Sequence, residues 1–127
     1  CIMSAAVSDF KPVKSFNNKI KKSSSKFNKI DLVKNKDILK DLSSIKKENQ
    51  KIIGFALETK NELDNAKNKL KNKNLDAIVL NSLNDFGAGF NNNTNKISFI
   101  TSNSIKDFDL KNKIYVAKDI LLEIFNL

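Results

Sequence analysis

The sequence of 127 residues contains no histidine and no arginine, and its one cysteine is Cys1. A single thiol cannot form an intramolecular disulfide, and zinc sites built from cysteine and histidine have no ligand set. Ser-His-Asp and Cys-His catalysis both need an imidazole base, so neither is available. Any catalysis must therefore use lysine, carboxylates, amides, hydroxyls, backbone groups or a hard cation. The lack of disulfides is typical of a reducing compartment and predicts a cytoplasmic protein.

Long hydrophobic runs are also missing. The longest apolar stretches, residues 52–57 and 77–80, fall far short of the roughly 20 residues that span a bilayer. This excludes an integral membrane protein, and the opening residues have neither the basic leader nor the apolar length of a signal peptide. Because the chain starts without methionine, on a segment with strand character, we expect it to be a piece of a longer protein.

The charge is strongly one-sided. The formal net charge is +9, and all 23 basic residues are lysine. Nucleic-acid binders usually rely on arginine for bidentate contacts to phosphate and guanine. Lysine and asparagine share A/T-rich codons, so genome composition accounts for much of their excess. We therefore interpret the charge as a lysine-rich solvated surface and predict no nucleic-acid partner. The alternative is a lysine-rich nucleic-acid-binding module without enzymatic activity.

Periodicity predicts alternating strands and helices. Apolar or alternating segments predict strands at residues 1–7, 29–33, 51–57, 75–80 and 96–101. Apolar residues at helical spacing predict helices over 38–45, over 63–73 and near the C-terminus. The third and fourth strands are continuously apolar, as in parallel strands covered on both faces. Since residues 51–80 form a strand–helix–strand crossover, the pattern predicts an α/β layered sheet.

Two long segments, 8–28 and 81–95, are predicted to be loops, and each follows a predicted strand. In open α/β sheets, ligands bind beyond the carboxyl ends of the strands. This nominates a binding site built from the two loops, the 34–38 turn and the segment after Phe55. The sequence has neither a GxxxxGK[ST] nor a GxGxxG motif. Phosphate binding would therefore need lysine side chains and helix N-terminal amides.

Two groups of loop residues could carry chemistry at this site. Asp9 follows the small residues Ser4-Ala5-Ala6-Val7-Ser8, which would let a ligand approach the backbone closely. The same string also fits a buried strand with an ordinary Asx turn. The cluster Lys19-Ile20-Lys21-Lys22 could cover a triphosphate, or it could be a solvated charge run.

Two further features are ambiguous on the sequence alone. Lys69 and Lys73 are four residues apart and therefore share one face of the predicted 63–73 helix, which carries several other lysines. Phe55 closes an apolar strand, so its ring could stack on a base or belong to the core.

The string from Ser4 to Pro12 resembles the Ala-Ala-Val-(Ala/Ser)-Asp-(Phe/Tyr) motif of bacterial phosphopantothenate–cysteine ligases. These domains perform the second step of coenzyme A synthesis and are often fused behind a flavin-dependent decarboxylase. Other stretches match in the family's order, and together they cover most of residues 1–127. They are Lys19-Ile20-Lys21-Lys22, residues 32–39, Gly54-Phe55-Ala56-Leu57-Glu58-Thr59, residues 66–76, and Gly87-Ala88-Gly89-Phe90.

The resemblance implies a Rossmann-like fold with a mostly parallel sheet and helices on both faces, incomplete at the N-terminus. It implies one domain over residues 1–127, the C-terminal portion of a phosphopantothenoylcysteine synthetase domain, and a homodimer within a larger bifunctional assembly. The implied substrates are 4′-phosphopantothenate, cysteine and CTP, joined through an acyl-cytidylate intermediate. Mg²⁺ or a similar divalent cation is the implied cofactor, and FMN is implied only where a decarboxylase is fused upstream.

The matching motifs also imply roles for individual residues. Asp9 corresponds to the acidic residue at the ribose or the metal–phosphate region of the nucleotide, and Lys19 to the catalytic lysine that meets the phosphates. Phe55 corresponds to a ring at the nucleotide. The base-reading turn corresponds to Lys36, Asp37, Ile38 and Leu39, and the other implied nucleotide contacts are Lys69, Lys73 and the backbones of Met3, Ser4 and Ala5.

Two departures from the family pattern limit these expectations. The base-reading turn usually has proline where this sequence has Lys36. The glycine-rich first turn and the asparagine that handles the acyl-nucleotide lie upstream of the residue 4–12 motif in the family and are absent here. We therefore expect this chain alone to be inactive in ligation, and an inactive structural fragment is a third interpretation.

Overall fold

The computed structural model describes residues 1–19, 29–89 and 91–127. Ile20, Lys21 and Lys22 of the predicted loop cluster, and Phe90 of the glycine-containing match, lie outside the described residues. The chain divides into two compact units, a larger one formed by Cys1–Ser4 with Leu39–Leu127 and a smaller one formed by Ala5–Ile38. The prediction of one domain over residues 1–127 stays a prediction.

The order of elements alternates strands with helices, as the periodicity predicts. Along the described chain the elements are β1 (Ile2–Met3), β2 (Phe10–Pro12), β3 (Leu32–Lys34), α1 (Ile38–Ile45), β4 (Ile53–Glu58), α2 (Glu62–Asn72), β5 (Ala77–Ser82), β6 (Thr94–Ile100), β7 (Ile105–Asn112) and α3 (Lys113–Phe125).

The larger unit contains a five-stranded sheet in the order β1-β4-β5-β6-β7. β4 pairs in parallel with β1 on one side and with β5 on the other, the latter from Ile53↔Ala77 to Glu58↔Ser82. β6 and β7 extend the sheet through antiparallel pairings. β6 therefore runs opposite to the other four strands of this sheet, which all point the same way. The predicted α/β layered sheet with mostly parallel strands is confirmed.

Each face of the sheet carries its own hydrophobic core, because successive residues of a strand point to opposite faces. α1 and α2 cover one face, where Leu39, Ala66 and Leu70 pack with Ala56 and Ile78. α3 covers the other face, and its buried residues are Val116 and Ile120, which pack with Ile53, Val79, Ile97 and Phe99. Helices therefore lie on both faces, as predicted.

Asp76 joins the amino ends of β4 and β5 to the segment that follows α1. Its Oδ2 accepts hydrogen bonds from the Ile52 backbone N–H at 2.7 Å and from Lys46 Nζ at 2.9 Å. Burial alone would raise the pKa of Asp76, but the Ile52 hydrogen bond and the Lys46 ammonium outweigh burial and lower that pKa. Lys46 also donates to the Asn74 carbonyl, so one ion pair organises three chain segments at this edge.

The smaller unit is a two-stranded antiparallel ribbon of β2 and β3, with Phe10 opposite Lys34 and Pro12 opposite Leu32. The ribbon continues where Val13 N donates to the Asp31 carbonyl at 2.9 Å. An isolated two-stranded ribbon is marginally stable in water. Its large apolar side chains are nevertheless exposed to solvent in the single chain; they are Val7, Phe10, Val13, Phe16, Ile30, Leu32 and Val33.

Several strands differ from the sequence prediction. The first strand is confined to Ile2–Met3, since the chain leaves the sheet where the smaller unit begins. The predicted strand 29–33 corresponds to β3 and pairs with β2, which lies inside the predicted 8–28 loop. Neither β2 nor β7 was expected, because β2 contains Pro12 and β7 is mostly charged and polar, so neither shows apolar alternation. Within the described ranges, no helix combines the length and apolar character that crossing a bilayer requires.

Candidate functional site

The carboxyl end of β1 leaves one backbone carbonyl of β4 without a strand partner. β1 pairs with Ile53 and Gly54 and ends there, so the Phe55 carbonyl on the same side of β4 has no partner in the ladder. Lys69 Nζ reaches from α2 and donates to this carbonyl at 2.6 Å. The hydrogen bond is charge-assisted, and it fixes a half-buried ammonium group beside the end of β1.

The other predicted nucleotide contacts near the end of β1 differ in how far they are buried. The Phe55 ring is half-buried and packs against the core on the α3 face, so it has the core role that its apolar strand favours. The Met3 side chain packs against the opposite core. Ser4 and Ala5 follow β1 and are exposed. The contact of Phe55 with a nucleotide, and the backbone contacts of residues 3–5, stay predictions.

Lys73 and Leu39 belong to the same unit as Lys69. Lys73 is the C-cap of α2, one turn beyond Lys69, and its backbone N–H donates to the Lys69 carbonyl at 3.1 Å. Leu39 is buried, and its Cδ2 would lie 3.0 Å from a Cβ added at Gly54. The Leu39 side chain is therefore a core group, and the predicted backbone contact of Leu39 with a base stays a prediction. Ile38, the first residue of α1, is exposed.

In the smaller unit, Asp9 lies next to the predicted base-reading turn. Asn35 N donates to the Asp9 carbonyl and Asn35 Nδ2 donates to the Ser8 carbonyl, both at 2.8 Å. These bonds extend the β2–β3 pairing by one step, so Asp9 lies opposite Asn35, the residue that precedes Lys36. Asp9 and Lys36 are exposed and Asp37 is half-buried. The structure thus brings together one predicted pair of motifs within this unit.

Lys19 is exposed in the connection between β2 and β3. The neighbouring lysines of its predicted cluster lie outside the described residues, and the phosphate contact of Lys19 stays a prediction. Among the described residues, no group of three or more histidine, cysteine, aspartate or glutamate side chains could hold a metal ion. Mg²⁺ is commonly bound by one or two carboxylates together with substrate phosphates, so Asp9 fits such a role without a preformed cage.

A polar cluster that sequence reasoning missed lies at the carboxyl ends of β4 and β5. Glu62 Oε1 accepts hydrogen bonds from Ser82 Oγ at 2.5 Å and from Asn84 Nδ2 at 2.8 Å. Asn84 Nδ2 also donates to the Thr59 carbonyl, and Asn84 N donates to Ser82 Oγ. We call Glu62, Ser82 and Asn84 the Glu62 cluster. Polar residues after two adjacent parallel strands were the available signal for it.

The segment that follows the Glu62 cluster is braced at several points. Lys96 Nζ lies 2.9 Å from Asp85 Oδ1, and this hydrogen-bonded ion pair raises the pKa of Lys96. Thr94 Oγ1 donates to the Gly87 carbonyl at 2.5 Å, and Lys113 Nζ donates to the Gly89 carbonyl at 3.2 Å. Gly87 and Gly89 have φ angles of +82° and +85°, which other residues rarely adopt. Residues 83–89 therefore form a loop that is joined to β6 and α3 by side-chain contacts.

Comparison with known proteins matches the whole chain to one family. The family model described as "DNA/pantothenate metabolism flavoprotein C-terminal domain" matches residues 1–127. One curated relative, named "Cysteine/Cysteine sulfinic acid decarboxylase" and from an unknown prokaryotic organism, is 50% identical over 127 residues, which cover 99% of this chain and 35% of that protein.

A second relative is the "Coenzyme A biosynthesis bifunctional protein CoaBC" of Borreliella burgdorferi. It is 46% identical over 121 residues, covering 94% of this chain and 30% of that protein. A crystal structure of the C-terminal domain of a protein with the same name superposes with a TM-score of 0.69 at 31% identity, covering 94% of this chain and 50% of that one. The chain spans about a third of the length of the curated relatives it matches.

Proposed function

The chain belongs to the family of DNA/pantothenate metabolism flavoprotein C-terminal domains, and from that premise we propose that it is part of an enzyme of coenzyme A biosynthesis. Its reaction is the CTP-dependent ligation of 4′-phosphopantothenate to cysteine. The chain is the C-terminal portion of the synthetase domain in a longer, cytoplasmic, bifunctional protein. The observation that carries the proposal is the family match over the whole chain, together with the relative named for coenzyme A biosynthesis.

The first step joins a carboxylate to a nucleotide. A carboxylate oxygen of 4′-phosphopantothenate attacks the α-phosphorus of CTP, the bond to the bridging oxygen breaks, and pyrophosphate leaves. Both reactants are anions, so the step needs fixed positive charge around the phosphates. The matching motifs assign this role to Lys19, Lys69 and Lys73, and within the larger unit the Phe55 carbonyl holds the ammonium group of Lys69. A divalent cation, when bound, would offset further charge on the phosphates.

The nucleotide is also recognised away from its phosphates. Asp9, exposed next to the turn at residues 36–37, suits contacts to the ribose or to a phosphate-bound cation. The turn that leads into α1 presents backbone groups to the base through Lys36, Asp37, Ile38 and Leu39. A turn can read a base by its backbone alone, which fits the buried side chain of Leu39.

The second step transfers the acyl group. The amine of cysteine attacks the acyl carbon of the cytidylate, CMP leaves with the bonding electrons, and the new ammonium loses its proton to solvent or phosphate. No histidine is needed as a base, which agrees with a sequence that has none.

The deciding experiment measures pyrophosphate release by the full-length gene product with CTP, 4′-phosphopantothenate and cysteine. We expect release that depends on all three substrates, and a thermal shift with CTP larger than with ATP or GTP. Lys19→Gln and Asp9→Ala should abolish both signals, whereas Lys14→Gln, at an exposed lysine without an assigned role, should keep them. Release of CO₂ from cysteine sulfinic acid without pyrophosphate would contradict the proposal and favour the activity named for the decarboxylase relative.

We further propose that the protein is a homodimer. The support is the row of exposed apolar side chains on the β2–β3 ribbon, including Phe10 and Leu32, which a single chain leaves in water. Analytical ultracentrifugation should give twice the mass of the monomer for the full-length protein. Phe10→Asp should lower that mass toward the monomer, while Lys11→Asp on the same strand should lower it less. A monomeric wild-type protein at micromolar concentration would refute the dimer.

A further inference from the structure

Glu62 begins α2 and also makes contacts beyond its own helix. Asn61, the N-cap of α2, makes no side-chain capping hydrogen bond, and Glu62 is the first helical residue. The Glu62 carboxylate does not fold back onto the α2 backbone; its Oε1 reaches across to Ser82 and Asn84 at the end of β5. A carboxylate at a helix N-terminus interacts favourably with the helix dipole, but that interaction alone needs no partner on another strand.

The cluster joins the loops that follow two adjacent parallel strands. Asn84 Nδ2 bridges Glu62 and the Thr59 carbonyl, which lies in the turn after β4. Leu83 N donates to the Glu58 carbonyl at 3.3 Å, next to the Glu58↔Ser82 pair that closes the ladder. Ser82 is 7% exposed, and its hydroxyl donates to Glu62 while accepting from Asn84 N. Glu62 Oε1 is therefore the common acceptor for Ser82 Oγ and Asn84 Nδ2, the two side-chain groups at the start of the 83–89 loop.

The 83–89 loop follows the Glu62 cluster and lies where a substrate could bind. Past Asn84 the loop contacts β6 through Asp85 with Lys96 and through Gly87 with Thr94, whereas its first residues are held by the Glu62 cluster. It leaves the sheet at the carboxyl edge, where ligands of open α/β sheets bind. The residues assigned to the nucleotide all lie between positions 3 and 73, outside this loop. The loop is thus available to the two substrates that are not nucleotides.

We propose that Glu62 is a positioning residue, which acts through Ser82 and Asn84 to hold the 83–89 loop for binding of a non-nucleotide substrate, the phosphorylated acid or the amino acid. Glu62 itself does not touch substrate. The assignment of substrates rests on the proposed ligase function, whereas the positioning of the loop does not. Loss of the acceptor would release the loop start, and the affinity for a non-nucleotide substrate would fall while the affinity for CTP would not.

The test compares Glu62→Ala, Glu62→Gln and Ser82→Ala in the full-length protein, with Glu48→Ala as the control at an exposed glutamate. Amide hydrogen exchange over residues 83–89 should be at least tenfold faster in Glu62→Ala and near wild type in Glu62→Gln, because the glutamine carbonyl still accepts. In steady-state ligation, Glu62→Ala should raise the KM for 4′-phosphopantothenate or cysteine at least fivefold and leave the KM for CTP within twofold. The Glu62→Ala/Ser82→Ala double variant should be no worse than Glu62→Ala.

The outcomes separate the two proposals. Unchanged exchange over residues 83–89 in Glu62→Ala overturns the positioning role, whatever the activity. A uniform rise in all three KM values together with faster exchange throughout α2 also overturns it, because that pattern belongs to a general structural role. The wild-type protein could also show no ligation while Glu62→Ala shows faster exchange confined to residues 83–89. That result would uphold the positioning of the loop and refute the proposed ligase function.

Discussion

The contact of Asp76 with Ile52 and Lys46 makes a quantitative prediction about stability. In Asp76→Ala the backbone N–H of Ile52, a residue that is 3% exposed, loses its acceptor, which costs about 1–3 kcal/mol. The ion pair with Lys46 is lost as well, and because both side chains are about four-fifths buried, it adds roughly 1 kcal/mol. We therefore expect the free energy of unfolding to fall by about 2–4 kcal/mol. Asp76→Asn keeps an acceptor for Ile52 and should lose only about 1 kcal/mol.

Urea denaturation followed by circular dichroism measures both variants, with Asp109→Ala on β7 as an exposed control. The pH dependence supplies a second check. Because folding lowers the pKa of Asp76, the carboxylate stabilises the protein above its unfolded pKa, and this contribution is lost as the pH falls through the lower folded pKa. The difference between wild type and Asp76→Asn should be complete at pH 7 and shrink below the ordinary pKa of 3.8. Equal stability of wild type and Asp76→Ala at pH 7 would refute the reasoning.

Three further substitutions test other parts of the structure. Gly54→Val should lower the free energy of unfolding by about 2–3 kcal/mol in urea titrations, because a Cβ there lies 2.8 Å from Leu75 Cδ1; stability equal to wild type would mean the core is looser than described. Lys69→Met should weaken CTP binding about tenfold by calorimetry, whereas Lys67→Met, exposed on the same helix, should not; equal effects would remove Lys69 from the site. Asn112→Ala should lower the free energy of unfolding in urea titrations by about 1 kcal/mol, because the Asn112 side chain accepts a hydrogen bond from Ile114 N at the start of α3. Asn112→Asp should retain most of the stability.

Much of the fold was predictable from local pattern. The apolar runs of β4 and β5 predict central parallel strands, and their alternating burial on two faces is why they are apolar throughout. The helical stripe of Leu63, Ala66 and Leu70 predicts α2, although Leu63 is partly exposed and the other two form the buried contact. These predictions succeed because burial on one face or both leaves a direct trace in residue order.

β7 was not predictable in the same way. Half of its residues, Ile105–Asn112, are charged, and its partners lie on the elements before and after it, β6 and α3. Lys106 pairs with Glu123 and Lys111 with Asp119, which ties the strand to α3, and Ser98 Oγ donates to Asp107 from β6. A strand that is held by ion pairs and hydrogen bonds to neighbouring elements has no apolar period that the sequence would reveal.

For the candidate site too, some features follow from the sequence and others only from the folded structure. Residue order alone determined the α/β class and the set of lysines and the aspartate that resemble a nucleotide site. Tertiary structure alone decided that Lys69 caps the Phe55 carbonyl, that Asp9 lies opposite Asn35, and that Glu62 joins the ends of β4 and β5. Hydrophobic burial is encoded locally and repeats along the chain, whereas a single polar contact depends on where a strand ends and which side chain can reach it, and only the folded chain specifies both.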